Sequence, residues 1–381
     1  MTEQTYLFDP KSPLVFRTGK PFDQPGDPVS LGFPLPSTLA GACRTAHGDA
    51  NATDFSSEEQ VADLRKIAVA GPLAAIIRAN TIEPLFPRPV DTFYQRLPGK
   101  QLGVIRLQPR ECESGELIDL PHKDLLPVFP KEEIKGKPAN GVSWWKKEHF
   151  FTWLSGKIPA DCRPDELGWA GPERNLRTHV ALDPSSLAAR DSMLFQTENM
   201  DFGACCTKHG WNEERYGILA RMAGKNIATQ ARFCRLGGEG RICSLVAKDQ
   251  VWPVMPDMIL QKLKTAGWIR MVLVTPAIFA RGWQPGWLDD SLQGSPPGFP
   301  GVKLRLKSFA CSRWQPVSGW DLQKKKPRAV RRMVPAGSVY WFQVEGGSET
   351  LEKLWLRPVS DDEQDRLDGF GLAAIGIWER N

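Results

Sequence analysis

Short strand-like and helix-like segments alternate along this chain without a regular strand–helix–strand order. Apolar and polar residues alternate in residues 178–183, 194–198 and 302–307, as they do in half-buried strands. Prolines (32) and glycines (34) interrupt the 381 residues between such segments. No period of about 20 to 50 residues repeats, which excludes solenoids and propellers. The pattern predicts an α+β protein with mostly antiparallel sheets.

The length predicts two domains, at about 150 residues per domain. Strand and helix patterns occur in both halves, and we place the boundary so that residues 1–207 form one domain and residues 208–381 the other. No run of about 18 uncharged apolar residues occurs, and the first residues lack the pattern of a signal peptide. We therefore expect a cytoplasmic protein that does not contact a membrane.

Two helices are predicted near the N-terminus. The first follows Pro36, with Ser37 or Thr38 as its cap, and the second spans residues 58–73 with an interruption near Gly71. If Ser37 and Thr38 lie in the first turn, their amides and hydroxyls could instead form an anion site, with Arg17 or Arg44 supplying charge. Simple capping is the alternative.

The eight cysteines are irregularly spaced, which is typical of reduced thiols, and we predict no disulfide and no cofactor. Cys205, Cys206 and His209 could begin a zinc site, but no second Cys/His pair with ligand spacing completes it. Whether these three residues bind a metal stays open.

Catalytic signatures are missing from the sequence. It contains no P-loop, no Gly-x-Ser-x-Gly and no His-Glu-x-x-His motif, which lowers the expectation of an enzyme. His47, near the end of the first predicted helix, could serve as the base of a metal-independent ribonuclease. A histidine at that place is also favoured by the helix dipole alone.

Positive charge is concentrated in one segment. Residues 302–334 hold ten basic residues against the single acid Asp321, a local charge of +9 in a chain whose formal net charge is +5. Such a concentration indicates an anion-binding surface, and nucleic acid is the commonest large anion. A solvated basic loop is the alternative.

The order of residues within this segment favours single-stranded RNA. Strand alternation places Lys303, Arg305 and Lys307 on one face, about 7 Å from one to the next, which suits successive phosphates. The cations that follow are interleaved with Trp314 and Trp320, whose rings could stack on bases or pack in the core. These cations are Lys324, Lys325, Lys326, Arg328, Arg331 and Arg332.

Two further places could contact RNA. Arg177 and His179 alternate on a predicted strand, where plain exposure is the alternative. Gly369 and Gly371 lack the strand–turn–helix order of a dinucleotide site, because a helix precedes them and a strand follows. Gly369 could be a helix C-cap, or the turn could offer backbone amides to a phosphate.

Several sequence blocks together resemble the family of third subunits of the Cmr complex, a type III-B CRISPR effector. The blocks are LVFRTGKPF (14–22), PSTLAGA (36–42), THVALD (178–183), LFQTE (194–198), GGEGR (237–241), SGWD (318–321), RRMVPAGSVY (331–340) and GFGL (369–372). The resemblance extends from the N-terminus to the C-terminus. It implies the fold of the RAMP superfamily (repeat-associated mysterious proteins): two ferredoxin-like (RRM-like) domains with inserted loops and a glycine-rich loop at residues 369–371.

The resemblance also implies a function. It implies a non-catalytic subunit that holds the repeat-derived 5′ tag of the guide RNA and links the large Cas10-like subunit to the backbone RAMP subunits, with target RNA contacted only indirectly. Arg241 in the GGEGR turn would be a further RNA contact, and residues 324–332 would form an extended hairpin or loop. The runner-up is a guide-RNA processing endoribonuclease of the same superfamily, with His47 as base and a lysine of the basic segment stabilising the transition state.

Overall fold

The computed structural model describes residues 2–16, 32–79, 81–131, 134, 136–203, 206–207, 210–211, 214–225, 227, 232–321 and 326–380. Its α-helices are α1 (Pro36–Ala50), α2 (Glu58–Arg65), α3 (Lys147–Leu154), α4 (Pro164–Leu167), α5 (Asp257–Leu263) and α6 (Glu363–Leu367), and two 3-10 helices span Pro98–Lys100 and Ser348–Leu354.

The strands lie mostly in two large sheets. In chain order they are β1 (Thr2–Pro10), β2 (Ala68–Arg78), β3 (Thr81–Pro87), β4 (Thr92–Arg96), β5 (Leu102–Pro109), β6 (Val128–Pro130), β7 (Trp144–Lys146), β8 (Gly168–Trp169), β9 (Glu173–Leu182), β10 (Ala189–Asp201), β11 (Cys206–Thr207), β12 (Gly210–Trp211), β13 (Arg215–Gly224), β14 (Arg232–Arg235), β15 (Ile242–Ala247), β16 (Trp268–Leu273), β17 (Gln293–Gly294), β18 (Lys303–Ala310), β19 (Gln315–Val317), β20 (Trp320–Asp321), β21 (Lys326–Pro327), β22 (Arg331–Met333), β23 (Val339–Gly346), β24 (Arg357–Pro358) and β25 (Leu372–Ile377).

The first large sheet has eight strands in the order β14-β15-β1-β13-β2-β3-β7-β8, and every neighbouring pair is antiparallel. The second has six strands in the order β17-β18-β23-β16-β25-β24, again antiparallel throughout. A three-stranded sheet, β4-β5-β6, lies in the segment inserted between β3 and β7. The predicted α+β class with antiparallel sheets is confirmed.

The core has two parts, one on each face of the first sheet. One face, which includes Leu7 and Leu219, shares a hydrophobic cluster with the second sheet and α3. The opposite face, which includes Tyr6 and Ile218, packs against α1. We call these the inter-sheet core and the α1 core. The first sheet is therefore covered on both sides, which its central strands need because they are apolar on both faces.

The first sheet extends beyond the predicted domain boundary. Strands β13, β14 and β15 follow residue 208 in sequence, yet they pair with one another and with β1 and β2. The boundary predicted between residues 207 and 208 thus falls within the sequence span of one sheet. The strands of the second sheet begin at Trp268.

The helix predicted for residues 58–73 is wrong in its second half. Helix α2 ends at Arg65, and the chain continues as β2 through Gly71. Strand β2 is buried on both faces, so its apolar residues do not alternate with polar ones and the strand period is hidden. Gly71 has a φ of +130°, and a Cβ there would lie 2.8 Å from the carbonyl oxygen of Leu219 on β13. The close approach of β13 explains the glycine.

Candidate nucleic-acid interface

A hairpin follows β18 and carries much of the positive charge of the second half. Its base is the antiparallel pair β19–β22, in which Val317 faces Arg331 and Gln315 faces Met333. Val317 and Met333 are buried in the α1 core, so the base is fixed between the second half and the first sheet. We call residues 313–333 the basic hairpin. The expected extended hairpin is thus present in the described part of this segment.

Cations and one indole are exposed along the basic hairpin. Arg313, Arg328 and Arg332 are exposed, and no carboxylate of the described residues lies within ion-pair distance of them. The Arg332 guanidinium lies 4.9 Å from the ring centroid of Trp314, which is 46% exposed. A cation and an accessible ring side by side can bind a phosphate and stack on a base. Arg313 was not singled out from the sequence, although it adjoins Trp314.

Arg331 has a different role from its neighbours. It donates through both terminal nitrogens to the two carboxylate oxygens of Asp365 on α6, at 2.7 Å each. These hydrogen bonds raise the pKa of Arg331, whereas burial raises the pKa of Asp365 against the lowering effect of Arg331. The bidentate geometry holds the basic hairpin on α6.

Lys324 and Lys325 lie outside the described residues, as does the side chain of Lys326. For Trp320, only the backbone is described.

The three cations of β18 differ in exposure and in their contacts. Burial alternates along β18 as predicted, with Lys303 exposed and Arg305 and Lys307 half-buried opposite the buried face. Arg305 is paired with Glu345 at 2.5 Å, and the backbone carbonyl of Lys307 accepts from the amide of Leu126 in the inserted segment. Lys303 is the first residue of β18, and the basic hairpin follows the other end of that strand. Along the strand, these two ends are about seven residues apart, at about 3.3 Å per residue.

Arg44 is buried rather than free for a phosphate. Its Nη1 donates to Oδ1 of Asp368 at 2.5 Å, and its other nitrogens donate to the carbonyl oxygens of Ile67 and Leu367. The guanidinium therefore joins α1 to the end of α6. The predicted RNA contact by Arg44 does not fit this environment, because its side chain is 10% exposed and each of its three nitrogens already donates to an acceptor inside the protein. Its proposed companion Arg17 lies outside the described residues.

Ser37 and Thr38 do not cap α1. The helix begins at Pro36, its N-cap is Leu35, and no side chain of the described residues caps its first turn. Proline at the first position tolerates this arrangement, because proline has no N–H to satisfy and its φ is already helical. Both side chains are half-buried. The predicted cap is therefore wrong.

The glycine-rich turn is engaged within the chain. Gly369, with a φ of +92°, directly follows the last residues of α6, as expected of a helix C-cap glycine. The amides of Gly369, Phe370 and Gly371 donate to the carbonyls of Arg366, Asp365 and Pro276. A phosphate would have to displace these bonds, so the geometry supports the C-cap role.

The β9–β10 hairpin holds the other candidates. Arg177 is exposed on β9, and His179 Nε2 lies 2.8 Å from the Thr197 hydroxyl on β10. Arg241 lies in the turn before β15, where its Nη2 contacts Asn199 at 2.9 Å and Glu239 at 2.9 Å. Arg241 thus connects the first sheet to β10, and its charge is already paired.

His47 lies inside the protein. It is 8% exposed, burial lowers its pKa, and the Asn51 side chain lies 3.4 Å from its ring. Within the described ranges no group of three His, Cys, Asp or Glu side chains could hold a metal ion. Cys205 and His209 lie outside these ranges, as does the side chain of Cys206. No helix of the described chain is long and apolar enough to cross a bilayer.

Fold and surface together define a class: an α+β protein of two large antiparallel sheets with an exposed, cationic and aromatic hairpin whose β19–β22 pair is anchored in the α1 core. A protein-family model, described as CRISPR-associated protein (Cas_Cmr3), matches residues 6–378. The chain belongs to this family, and the resemblance found in the sequence is confirmed. It is therefore a component of a type III CRISPR effector.

Three solved structures that contain a similar chain are of type III CRISPR complexes. A chain in the cryo-EM structure of the type III-B Cmr-beta bound to cognate target RNA is 16% identical, with a TM-score of 0.48, and the match covers 89% of this chain and 86% of that one. The same complex with AMPPnP gives 16% identity, a TM-score of 0.46 and the same coverage. A chain in the crystal structure of the Csm3-Csm4 subcomplex of the type III-A CRISPR-Cas interference complex is 11% identical, with a TM-score of 0.37, and the match covers 90% of this chain and 94% of that one. No curated protein matches the sequence.

Proposed function

We propose that this chain is a non-catalytic, cytoplasmic RNA-binding subunit of a type III-B CRISPR effector. It holds the repeat-derived 5′ tag of the guide RNA and joins the large Cas10-like subunit to the backbone of RAMP subunits, and it meets target RNA only through the guide. The observation that carries the RNA-binding role is the basic hairpin. Its Arg313, Trp314, Arg328 and Arg332 are exposed, and its strand pair β19–β22 is buried in the α1 core.

Strand order supports two ferredoxin-like domains. In the first sheet, β15-β1-β13-β2 is the order fourth, first, third, second along the chain, with α1 between the first and second of these strands. In the second sheet, β25-β16-β23-β18 has the same order, with the 3-10 helix Ser348–Leu354 and α6 before the fourth. This order with helical crossovers is that of the split βαβ unit, which RRM-type RNA-binding domains use.

Charge and aromatic groups in the basic hairpin suit a single strand. A phosphate backbone needs unpaired cations, and unstacked bases need an accessible ring face. Arg313, Arg328 and Arg332 supply the charge, since no described carboxylate neutralises them, and Trp314 supplies the ring.

The buried position of His47 disfavours the ribonuclease alternative. A general base must reach the proton it removes within about 3 Å or through one water. His47 is 8% exposed on the inner side of α1, so an RNA hydroxyl could approach it only if the helix moved.

The salt dependence of tag binding tests the RNA-binding role. The variant R313A/R328A/R332A is compared with K147A/K157A/K264A, which removes three exposed lysines from other elements. For single-stranded RNA, each lost phosphate contact reduces the slope of log affinity against log salt by about 0.7, so three contacts reduce it by about 2. The lysine variant is expected to keep the wild-type slope.

Two guide RNAs are used, one with the repeat-derived 5′ tag and one without it. If wild type and R313A/R328A/R332A differ more in salt slope with the tagged RNA than with the untagged one, tag binding is supported. Equal salt slopes for the two proteins contradict the role of the basic hairpin. The same samples, run on a denaturing gel without metal, detect cleavage. A discrete cut in the tagged RNA would favour the ribonuclease.

A further inference from the structure

A cleft opens where the inter-sheet core reaches solvent. It encloses about 510 Å³ and lies between the start of β1, the middle of β13 and the region of the 3-10 helix Ser348–Leu354 and β24. The segment that connects the two sheets, residues 248–256, forms one wall. Cavities of this size at the junction of two structural units are common binding sites.

Two indoles and the exposed aliphatic side chain of Val254 line the cleft. Trp355 is fixed, because its Nε1 donates to the carbonyl oxygen of Pro253 at 3.0 Å and its ring packs edge-on against Phe151. The guanidinium of Arg221 lies over the ring of Trp252, 4.8 Å from the ring centroid. The buried Nε1 of Trp252 has no hydrogen-bond partner among the described residues. Val254 also lines the cleft and is 77% exposed.

The charges at this cleft leave a positive excess. Glu3 is shared by Arg221 at 3.2 Å and Arg357 at 3.8 Å. Lys353 is exposed, and within the described chain no carboxylate lies at ion-pair distance from it. Three cations thus face the two carboxylates Glu3 and Glu352 in the lining.

These features favour a protein partner over RNA. Tryptophan, methionine and arginine all line this cleft, and these residue types are enriched at protein–protein interfaces. The cleft holds the carboxylates Glu3 and Glu352 beside its three cations, whereas the exposed cations of the basic hairpin other than Arg331 have no carboxylate partner among the described residues. The cleft also belongs to the inter-sheet core, whereas the base of the basic hairpin belongs to the α1 core.

We propose that this cleft docks a segment of a protein subunit of the effector, which inserts an aliphatic side chain against Trp252 and Trp355 and places an adjacent carboxylate on Lys353 and Arg357. The inference rests on the proposed function in one respect only, that the chain assembles with other protein subunits. The new elements are the place of docking, which is the cleft, and the side chains that it recognises, an aliphatic residue with an adjacent carboxylate.

Reconstitution of the effector from its own subunits and guide RNA tests the inference. Val254→Asp places a charge at the mouth of the cleft, and K353E/R357E reverses the attracting charges. Both changes are at exposed side chains, and L117D, at a leucine that is 98% exposed on the inserted segment, is the matched control for Val254→Asp. Each cleft variant is expected to lower the affinity for one protein subunit about tenfold or more, with L117D unchanged.

A photo-crosslinking residue at position 254 identifies the occupant. A crosslink to a protein subunit, in a peptide with an aliphatic residue next to Asp or Glu, supports the proposal. A crosslink to RNA, wild-type subunit affinity in both cleft variants, or an equal loss in L117D would overturn it. Failure of the proposed function is distinguishable, because the wild-type chain itself would then neither bind tagged RNA nor assemble.

Discussion

Arg44 and Asp368 are 324 positions apart in sequence, and their side chains meet at 2.5 Å with each about nine-tenths buried. One lies on α1, which covers the first sheet, and the other ends α6, which precedes the last strand of the second. Together with the pair Arg331–Asp365, this contact joins α1, α6 and the basic hairpin into one connected unit. The candidate RNA surface is therefore held by ion pairs behind it.

Removal of Arg44 is expected to cost stability and to leave the RNA contacts unchanged. Arg44→Ala leaves Asp368 buried and unpaired, which costs about 3–5 kcal/mol in the free energy of unfolding measured with urea. Arg65→Ala, at an exposed arginine of α2, is the control and should stay within about 0.5 kcal/mol. A lowered salt slope of tag binding by folded Arg44→Ala, with little loss of stability, would instead return Arg44 to the RNA interface.

Gly369 should be less replaceable than a glycine of the same backbone conformation in open space. A Cβ at Gly369 would lie 2.6 Å from the carbonyl oxygen of Val69 and 2.8 Å from that of Gly71, whereas Gly115, with a φ of +94°, has nothing within 4 Å. Gly115→Ala should cost about 1–2 kcal/mol from its left-handed backbone. Gly369→Ala should cost about 1–3 kcal/mol more in the urea-measured free energy of unfolding. Equal costs would show that the turn is not packed against β2.

His47 should titrate below its usual range, because burial lowers its pKa from 6.5. As pH falls below 6.5, the unfolded chain binds a proton at this histidine before the folded one does. The free energy of unfolding therefore decreases between pH 6.5 and the folded pKa of His47. NMR titration should give a folded pKa below 6.5, and His47→Gln should flatten the fall in unfolding free energy over that window. A folded pKa at or above 6.5 would contradict the burial.

Trp314 should stack on a base of the bound RNA. Trp314→Ala is expected to weaken tag binding by about 1–3 kcal/mol per stacked base, while Trp314→Phe, which keeps a ring, should lose less. Because the indole carries no charge, the salt slope should stay at its wild-type value in both variants. Equal affinities for all three proteins in fluorescence titrations would show that the ring does not meet a base.

Local patterns were enough to predict many elements. The period-two alternation of β18 appears in the sequence because one face of that strand is buried, and the apolar run of β25 appears because all of its residues are buried. Strand β9 was also predicted from its sequence, although its apolar Val180 and Leu182 are exposed. The blocks that resemble the Cmr third-subunit family were sufficient to identify the family, which the family model confirms. The concentration of charge in residues 302–334 is likewise a property of the sequence alone.

The roles of individual charges were decided by tertiary structure. Nothing near Arg44, Arg331 or Arg305 in the sequence indicates that a carboxylate 324, 34 or 40 positions away will pair with it. Strand β2 was mistaken for a helix because sheets on one side and α1 on the other bury both of its faces, which removes the alternation. Composition and spacing determine how much charge and apolar surface a chain carries, but only packing determines which cation is neutralised and which remains free for a ligand, because that depends on neighbours brought together by the fold.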